Sequence, residues 1–230
     1  METIEAISLT LGVAWASGIN LYAAVFMLGY MANTGHMTLP PELEILSDPL
    51  VMGAAALMYC VEFFADKTPG VDTGWDAIHT FIRIPAGAVL AAGMASGMDI
   101  SPAAEFAALL VGGGIAATSH VTKAGSRVLI NASPEPVTNW AASIAEDLAV
   151  IGGLWTALNY PLLFLAALAC FILLAAWALP RIWRALKRLF QRIGAWLGGR
   201  KEGGGFAAPP KQTRRDILKT LYHDARDDPK

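Results

Sequence analysis

Charged residues stand inside the long apolar runs of this chain. Glu62, Asp66, Lys67, His79, Arg83, His120, Lys123, Arg127, Glu146 and Asp147 all fall within, or at the ends of, segments that otherwise read as membrane helices. A charge in a bilayer core costs about 2.5–3.5 kcal/mol on insertion scales, so it persists where it is paired, hydrated or used. The pattern implies an all-α membrane bundle with a polar pathway or site inside it. It does not say what passes through.

Composition agrees. Only 16% of the residues are charged and 55% are hydrophobic, with a mean hydropathy of +0.47. A soluble domain carries about 25% charged residues. The net charge of −2 hides a segregation, because most Lys and Arg lie in the C-terminal third. No nucleic-acid partner is expected from this pattern. Cys60 and Cys170 both lie in apolar runs, which reads as two small buried hydrophobes and not a disulfide framework. The acidic start, Met1 to Glu5, is unlike the basic opening of a cleaved signal.

A transmembrane helix needs about 20 mostly apolar residues. Six such segments can be read: Ile7 to Met31, Pro49 to Asp66, Gly74 to Gly97, Ser101 to Ile130, Val137 to Leu158, and Pro161 to Leu179. Ser101-Pro102 has the form of an N-cap followed by proline at the first helical position. Pro85 interrupts the hydrogen-bond ladder of the third segment, which leaves a broken or re-entrant form open there. Residues 1–180 would form the membrane domain.

Arg181, Arg184, Lys187, Arg188, Arg192, Arg200 and Lys201 follow the sixth segment. Cytoplasmic loops are enriched in such residues, which places the C-terminus inside. Six spans then bring the N-terminus inside as well, in a bacterial inner membrane. From Arg181 to Leu197 the apolar residues recur at helical spacing between basic ones. This predicts an interfacial helix over 181–198 lying on the anionic lipids of the inner leaflet. Residues 199–230 turn to Gly, Pro and mixed charge, the composition of a disordered tail.

The polar residues have spacing of their own. Glu62 and Asp66 are four apart and share a helix face, where like charges repel unless a proton or a cation intervenes. A metal held by Glu62 and Asp66 is one such reading. His120, Lys123 and Arg127 form a basic stripe on the fourth segment, and His79 and Arg83 are also four apart. Glu146 and Asp147 sit about 15 Å into the fifth segment. At similar depth, Arg83 is expected to contact one of them. Asn20, beside Gly18, is the strongly polar residue near the middle of the first segment, and a local break is expected there. Lys67, Lys123 and Arg127 have an ordinary alternative role as snorkelling anchors. His79 and His120 are candidate proton partners. The glycines at 93, 97 and 112–114 suit close helix packing.

Segment two ends Asp-Lys-Thr-Pro-Gly before Trp75, and segment four ends Thr-Lys-Ala-Gly before Trp140. The similarity suggests an internal parallel repeat of the kind found in transporters.

The string Glu62-Phe-Phe-Ala-Asp66-Lys67-Thr-Pro-Gly70-Val-Asp72, then Trp75-Asp76 and Arg83-Ile-Pro85-Ala-Gly87, resembles an uncharacterised bacterial integral-membrane family, a domain of unknown function. Ser119-His120, Lys123-Ala-Gly125-Ser-Arg127 and Asn131-Ala-Ser-Pro-Glu-Pro136 are similar to its second signature. The resemblance implies a membrane fold and no assigned activity. A fainter likeness links Glu62 and Asp66-Lys67-Thr68 to the Glu-x-Gly-Asp-Lys-Ser/Thr motif of cation/proton exchangers, with one residue more and the glycine missing.

Three classes of function compete. A homo-oligomeric secondary transporter of an ion or small solute would use Glu62, Asp66, Glu146 and Asp147, with Asn20 in the pathway and Lys67, Arg83, Lys123 and Arg127 as counter-charges or anion ligands. A channel or a protein handling lipid headgroups would use the basic stripe, and a membrane scaffold would use none of these. No Gly-x-Ser-x-Gly, His-Glu-x-x-His or Walker loop points to an enzyme, and no cofactor is expected.

Overall fold

The computed structural model describes residues 3–68, 70–131 and 136–197. It is helical throughout these residues, apart from short connections. The helices are α1 (Thr3–Ile19), α2 (Leu21–Asn33), α3 (Pro49–Ala65), α4 (Val71–Ser96), α5 (Pro102–Asn131), α6 (Pro136–Asn159) and α7 (Pro161–Leu197), with a 3-10 helix at Pro41–Ser47. Residues up to Arg188 form one compact unit. From Leu189 onward a second unit begins, of which the helical backbone to Leu197 is described. The expected tail over 199–230 lies outside the described residues.

Four helices, α4 to α7, are long and apolar enough to cross a membrane; the 3-10 helix and α3, bent by 66° at their junction, make a fifth if the pair is one span. The polytopic helical bundle read from composition is therefore present. Local chemistry sets its boundaries. The Asp48 carboxylate accepts from Leu50 N and Pro49 follows it, which starts α3. Ser101 Oγ accepts from Ala104 N at the start of α5, as its sequence implies. α4 runs unbroken through Pro85, so the third segment is neither broken nor re-entrant.

The interruption falls in the first segment instead. Asn20 adopts an extended backbone (φ −145°, ψ 98°), and its side chain caps α2 by accepting from Ala23 N at 3.0 Å. The chain doubles back here. Thr3, Glu5 and Ala6 line the same cavity as His36 to Pro41 and the ends of α4 and α6. α1 and α2 thus start and finish at one end of the bundle, with their junction deep inside it. Seventeen and thirteen residues rise about 25 and 20 Å, less than the roughly 30 Å hydrocarbon thickness. Ile7 to Met31 folds as a hairpin of two short apolar helices, neither long enough to cross a membrane, which corrects its reading as one span.

α1 is the central element. It packs against α4, α5 and α6, and Leu9, Val13, Ala14 and Ala16 are wholly buried. Close approach depends on small residues. A Cβ at Gly18 would collide with the Ala116 carbonyl and the Ser119 hydroxyl, and one at Gly112 with the Ala91 methyl. Gly93 and Gly97 sit against Leu43 and Pro40, as packing positions should, whereas Gly114 faces open space. Around this centre the outer faces of the helices are apolar, with Leu57, Phe64, Phe81 and Leu173 more than half exposed. That is the surface a bilayer would cover. Cys60 and Cys170 are free thiols on this exposed face, which corrects their reading as buried hydrophobes.

Running α3 upward from the hairpin's open end, α4 returns, α5 ascends, α6 returns and α7 ascends. Contacts of Gly12 with Ala157 and Phe164, and of Gly125 with Ile182, fix the last two directions. Thr3 and Arg181 consequently stand at opposite ends of the bundle.

Candidate functional site

On α4, Asp72, Asp76, His79 and Arg83 recur at helical spacing and are all buried, forming one polar stripe. On α5, Ser119, His120, Lys123 and Arg127 do the same. α3 contributes Glu62 and Asp66, and α6 contributes Asn139, Ser143, Glu146 and Asp147. The four stripes converge around the Asn20 turn. Glu62, Arg83 and Arg127 have no solvent exposure, so each depends on partners inside the protein.

Arg83 is a fork between two acids. Its Nη2 donates to Glu62 Oε1 at 2.7 Å and its Nη1 to Asp76 Oδ1 at 2.8 Å. The expected Arg83 contact with Glu146 or Asp147 does not form, because Glu62 and Asp76 are nearer on α3 and on its own helix. Arg127 takes Glu146 instead, in bidentate geometry at 2.5 and 3.3 Å. Its Nη1 also donates to Asn139 Oδ1 at 2.6 Å and to the Asp66 carbonyl at 3.0 Å. Arg127 is therefore no snorkelling anchor: it holds α3, α5 and α6 together.

Lys123 lies at the centre. Its ammonium donates to Asp66 Oδ2 at 2.7 Å, to the Ile19 carbonyl at 3.0 Å and to Glu62 Oε1 at 3.4 Å. Glu146 Oε2 and Asp76 Oδ1 stand at 3.7 and 3.8 Å. The ammonium thus occupies the space between Glu62 and Asp66 where a cation was expected. Among the described residues no group of three or more Asp, Glu, His or Cys is arranged to hold a metal ion.

The remaining expected residues flank this centre. Asn20 Nδ2 donates to Asp147 Oδ1 at 3.2 Å, so the helix-breaking residue and the deep acid of α6 are partners. Lys67 donates to Ser143 Oγ at 3.1 Å and lies 3.0 Å from the centre of the Phe63 ring. His79 stacks on Trp75, donates from Nδ1 to the Trp75 carbonyl and meets the Tyr22 hydroxyl at 3.0 Å. His120 Nδ1 faces Arg83 Nη1 at 3.4 Å, and its Nε2 lies 2.7 Å from Thr80 Oγ1. Arginine only donates, so in these contacts Nδ1 is the acceptor and Nε2–H the donor.

Counting the connected ion pairs, three bases (Arg83, Lys123, Arg127) face four acids (Glu62, Asp66, Asp76, Glu146). The acids therefore outnumber the bases by one. Glu62 Oε2, Asp66 Oδ1, Asp76 Oδ2 and Asp147 Oδ2 are also buried without a hydrogen-bond partner. A buried acceptor left unpaired costs about 1–3 kcal/mol, more when charged. The arrangement can take up a further positive charge.

A family model described as a domain of unknown function (DUF4126) matches residues 7–181. The chain belongs to this family. The match runs from α1 into α7 and contains every residue of the DUF4126 charge cluster. No curated protein and no solved structure matches the chain.

Sequence reasoning passed over Asp76, Asn139, Ser143, Tyr22 and Thr80. Asp76 had a signal: it lies seven residues before Arg83, on the face already marked by His79. Asn139 and Ser143 likewise precede Glu146 and Asp147 at helical spacing on α6. The Ile19 carbonyl had none, since it is freed by the local break at Asn20.

Proposed function

We propose that this DUF4126 protein is a small secondary carrier in the cytoplasmic membrane, moving an ion or small solute in a cycle coupled to the buried acids. The observation that carries the reading is the charge cluster, with one acid more than its bases, at the tip of a re-entrant hairpin. A cluster that only locked helices together would gain nothing from uncompensated carboxylates in a low-dielectric interior. Non-helical backbone at membrane depth is tolerated where it is buried in protein or lines a cavity, and discontinuous helices are a recurring feature of carrier sites. Glu62, Asp66, Asp76, Glu146 and Asp147 are the exchanging acids. Arg83 and Arg127 are fixed counter-charges, and Asn20 links the hairpin to Asp147.

The carrier spans the membrane with its hairpin end outside and its C-terminal helix end inside. Residues 1–66 contain no Lys or Arg, and neither do 84–122 or 128–180. The hairpin end is therefore free of both residues, while Arg181, Arg184, Lys187 and Arg188 mark the other. Cytoplasmic ends collect positive charge. With five crossings and a re-entrant hairpin, the N-terminus lies outside, opposite to the placement implied by six spans. A catalytic role is not proposed, since none of the motifs that would support one is present.

The test is flux through purified protein in liposomes under an imposed pH gradient, scanned over monovalent cations, divalent cations and small anions. Wild-type protein is expected to dissipate the gradient with at least one of these ions, and Asp147→Asn to lose most of that flux. Folded, inserted wild-type protein that moves none of them would sink the carrier reading.

A further inference from the structure

We infer that the oxygens around Lys123 form a seat for an ammonium-sized monovalent cation, filled in this conformation by the chain's own lysine. This inference rests on the carrier reading and names its substrate class.

The geometry of the ammonium carries it. Five oxygens from five residues surround Nζ within 3.8 Å: Asp66 Oδ2, the Ile19 carbonyl, Glu62 Oε1, Glu146 Oε2 and Asp76 Oδ1. They come from α1, α3, α4 and α6, while the lysine alone comes from α5. A plain salt bridge needs one carboxylate. Here four carboxylates and a peptide oxygen converge on one point, as ligands do around a bound ion. The Ile19 carbonyl is part of the set because the helix stops at Asn20.

Two further observations mark the centre as a place built for positive charge. Glu62 Oε2, Asp66 Oδ1 and Asp76 Oδ2 stay buried and unpaired even with the ammonium in place. The acids of the connected cluster also outnumber its bases by four to three.

Spacing sets the class of ion. Calcium takes oxygens at about 2.3–2.6 Å and magnesium at about 2.0–2.1 Å. The nearest oxygens here stand 2.7, 3.0 and 3.4 Å from the central nitrogen. The central atom is itself an ammonium nitrogen, so the seat as it stands is shaped for an ammonium group or a monovalent ion of similar size. Arg83 and Arg127 share three of these oxygens, Glu62 Oε1, Asp76 Oδ1 and Glu146 Oε2, and leave Asp66 Oδ2 and the Ile19 carbonyl as the two whose nearest cation is the central one.

The experiment removes the tether. Wild-type protein and Lys123→Ala, both in detergent, are melted in chlorides of ammonium, methylammonium, potassium, sodium and choline at equal ionic strength. Lys123→Ala is expected to melt lower than wild type in choline. Ammonium, methylammonium or potassium should raise its Tm on the order of 5 °C, by binding only the folded state. Wild type should respond alike to all five salts, because its seat is taken. Rescue by ammonium and methylammonium alone assigns the seat to amines. Rescue by ammonium and potassium alike assigns it to inorganic ions. Lys123→Ala that responds no more than wild type, or responds to sodium alone, overturns the inference. Should that variant not fold in any salt, Glu62→Gln/Lys123→Ala removes one charge of each sign and serves instead, with the same two outcomes. Flux is read separately. Wild-type flux without rescue removes the seat and leaves the carrier, whereas rescue without flux does the reverse.

Discussion

At the scale of single residues, the cluster makes unequal demands on its members. Arg83 must reach Glu62 and Asp76 at once, on two helices, with donors 2.7 and 2.8 Å away. Only a planar guanidinium presents two such donors in a fixed fork. Arg83→Lys keeps the charge and loses one of the two contacts. Breaking one partner of a buried ion pair costs about 3–5 kcal/mol. A Tm lower by several degrees is expected in detergent, and a wild-type Tm would show that the fork is dispensable. Asp76→Asn should be milder, since Asn still accepts from Arg83 through its carbonyl and brings the acids and bases to equal number. The residues of this cluster were largely legible, because ionisable groups in apolar runs announce themselves. Their pairings were not. Whether Arg83 meets Glu62 or Asp147 depends on which helices are neighbours, and helical spacing is blind to that.

At the scale of elements, the hairpin turn is the part most open to attack. Asn20 both caps α2 and binds Asp147. Asn20→Ala loses the cap, worth about 0.5–2 kcal/mol, and strands Asp147. Asn20→Asp keeps the cap but sets a second carboxylate against Asp147. The expected order of thermal stability is wild type, then Ala, then Asp, and an Asp variant as stable as wild type would argue against the Asn20–Asp147 contact. Two glycines give a matched comparison. Gly18→Ala forces a Cβ into α5 and should cost about 1–3 kcal/mol. Gly114→Ala meets nothing within 4 Å and should be neutral, or stabilising by up to about 1 kcal/mol. Equal melting of the two variants would contradict the close contact of α1 with α5. A break near Asn20 could be expected from its sequence, with Gly18 beside it. That the chain reverses there could not, because a mostly apolar run of 25 residues reads equally well as one span or as two half-length helices. Pro85 invited the opposite reading in α4, a broken or re-entrant form that the intact helix does not show.

At the scale of the whole molecule, that reversal decides which way the chain faces. In the proposed carrier, the positive charge from Arg181 to Arg188 sets that end inside, and the number of crossings then sets everything else. Six crossings would return the N-terminus to the cytoplasm. Five crossings and a hairpin put it outside, together with the connection from Thr34 to Asp48 and the turn around Asp99. In a background with Cys60 and Cys170 replaced by alanine, single cysteines at Thr3, Thr38, Asp99 and Lys187 distinguish the two. A membrane-impermeant maleimide applied to intact cells is expected to label the first three. Lys187→Cys should label only after the membrane is opened. The Thr3 and Lys187 positions carry the decision, since both topologies leave Thr38 and Asp99 outside. Labelling of Thr3→Cys and Lys187→Cys under the same condition would restore the single span. The hairpin, the Asn20 turn and the carbonyl that Ile19 offers to Lys123 would then all have to be given up together, because each depends on the chain reversing within the membrane.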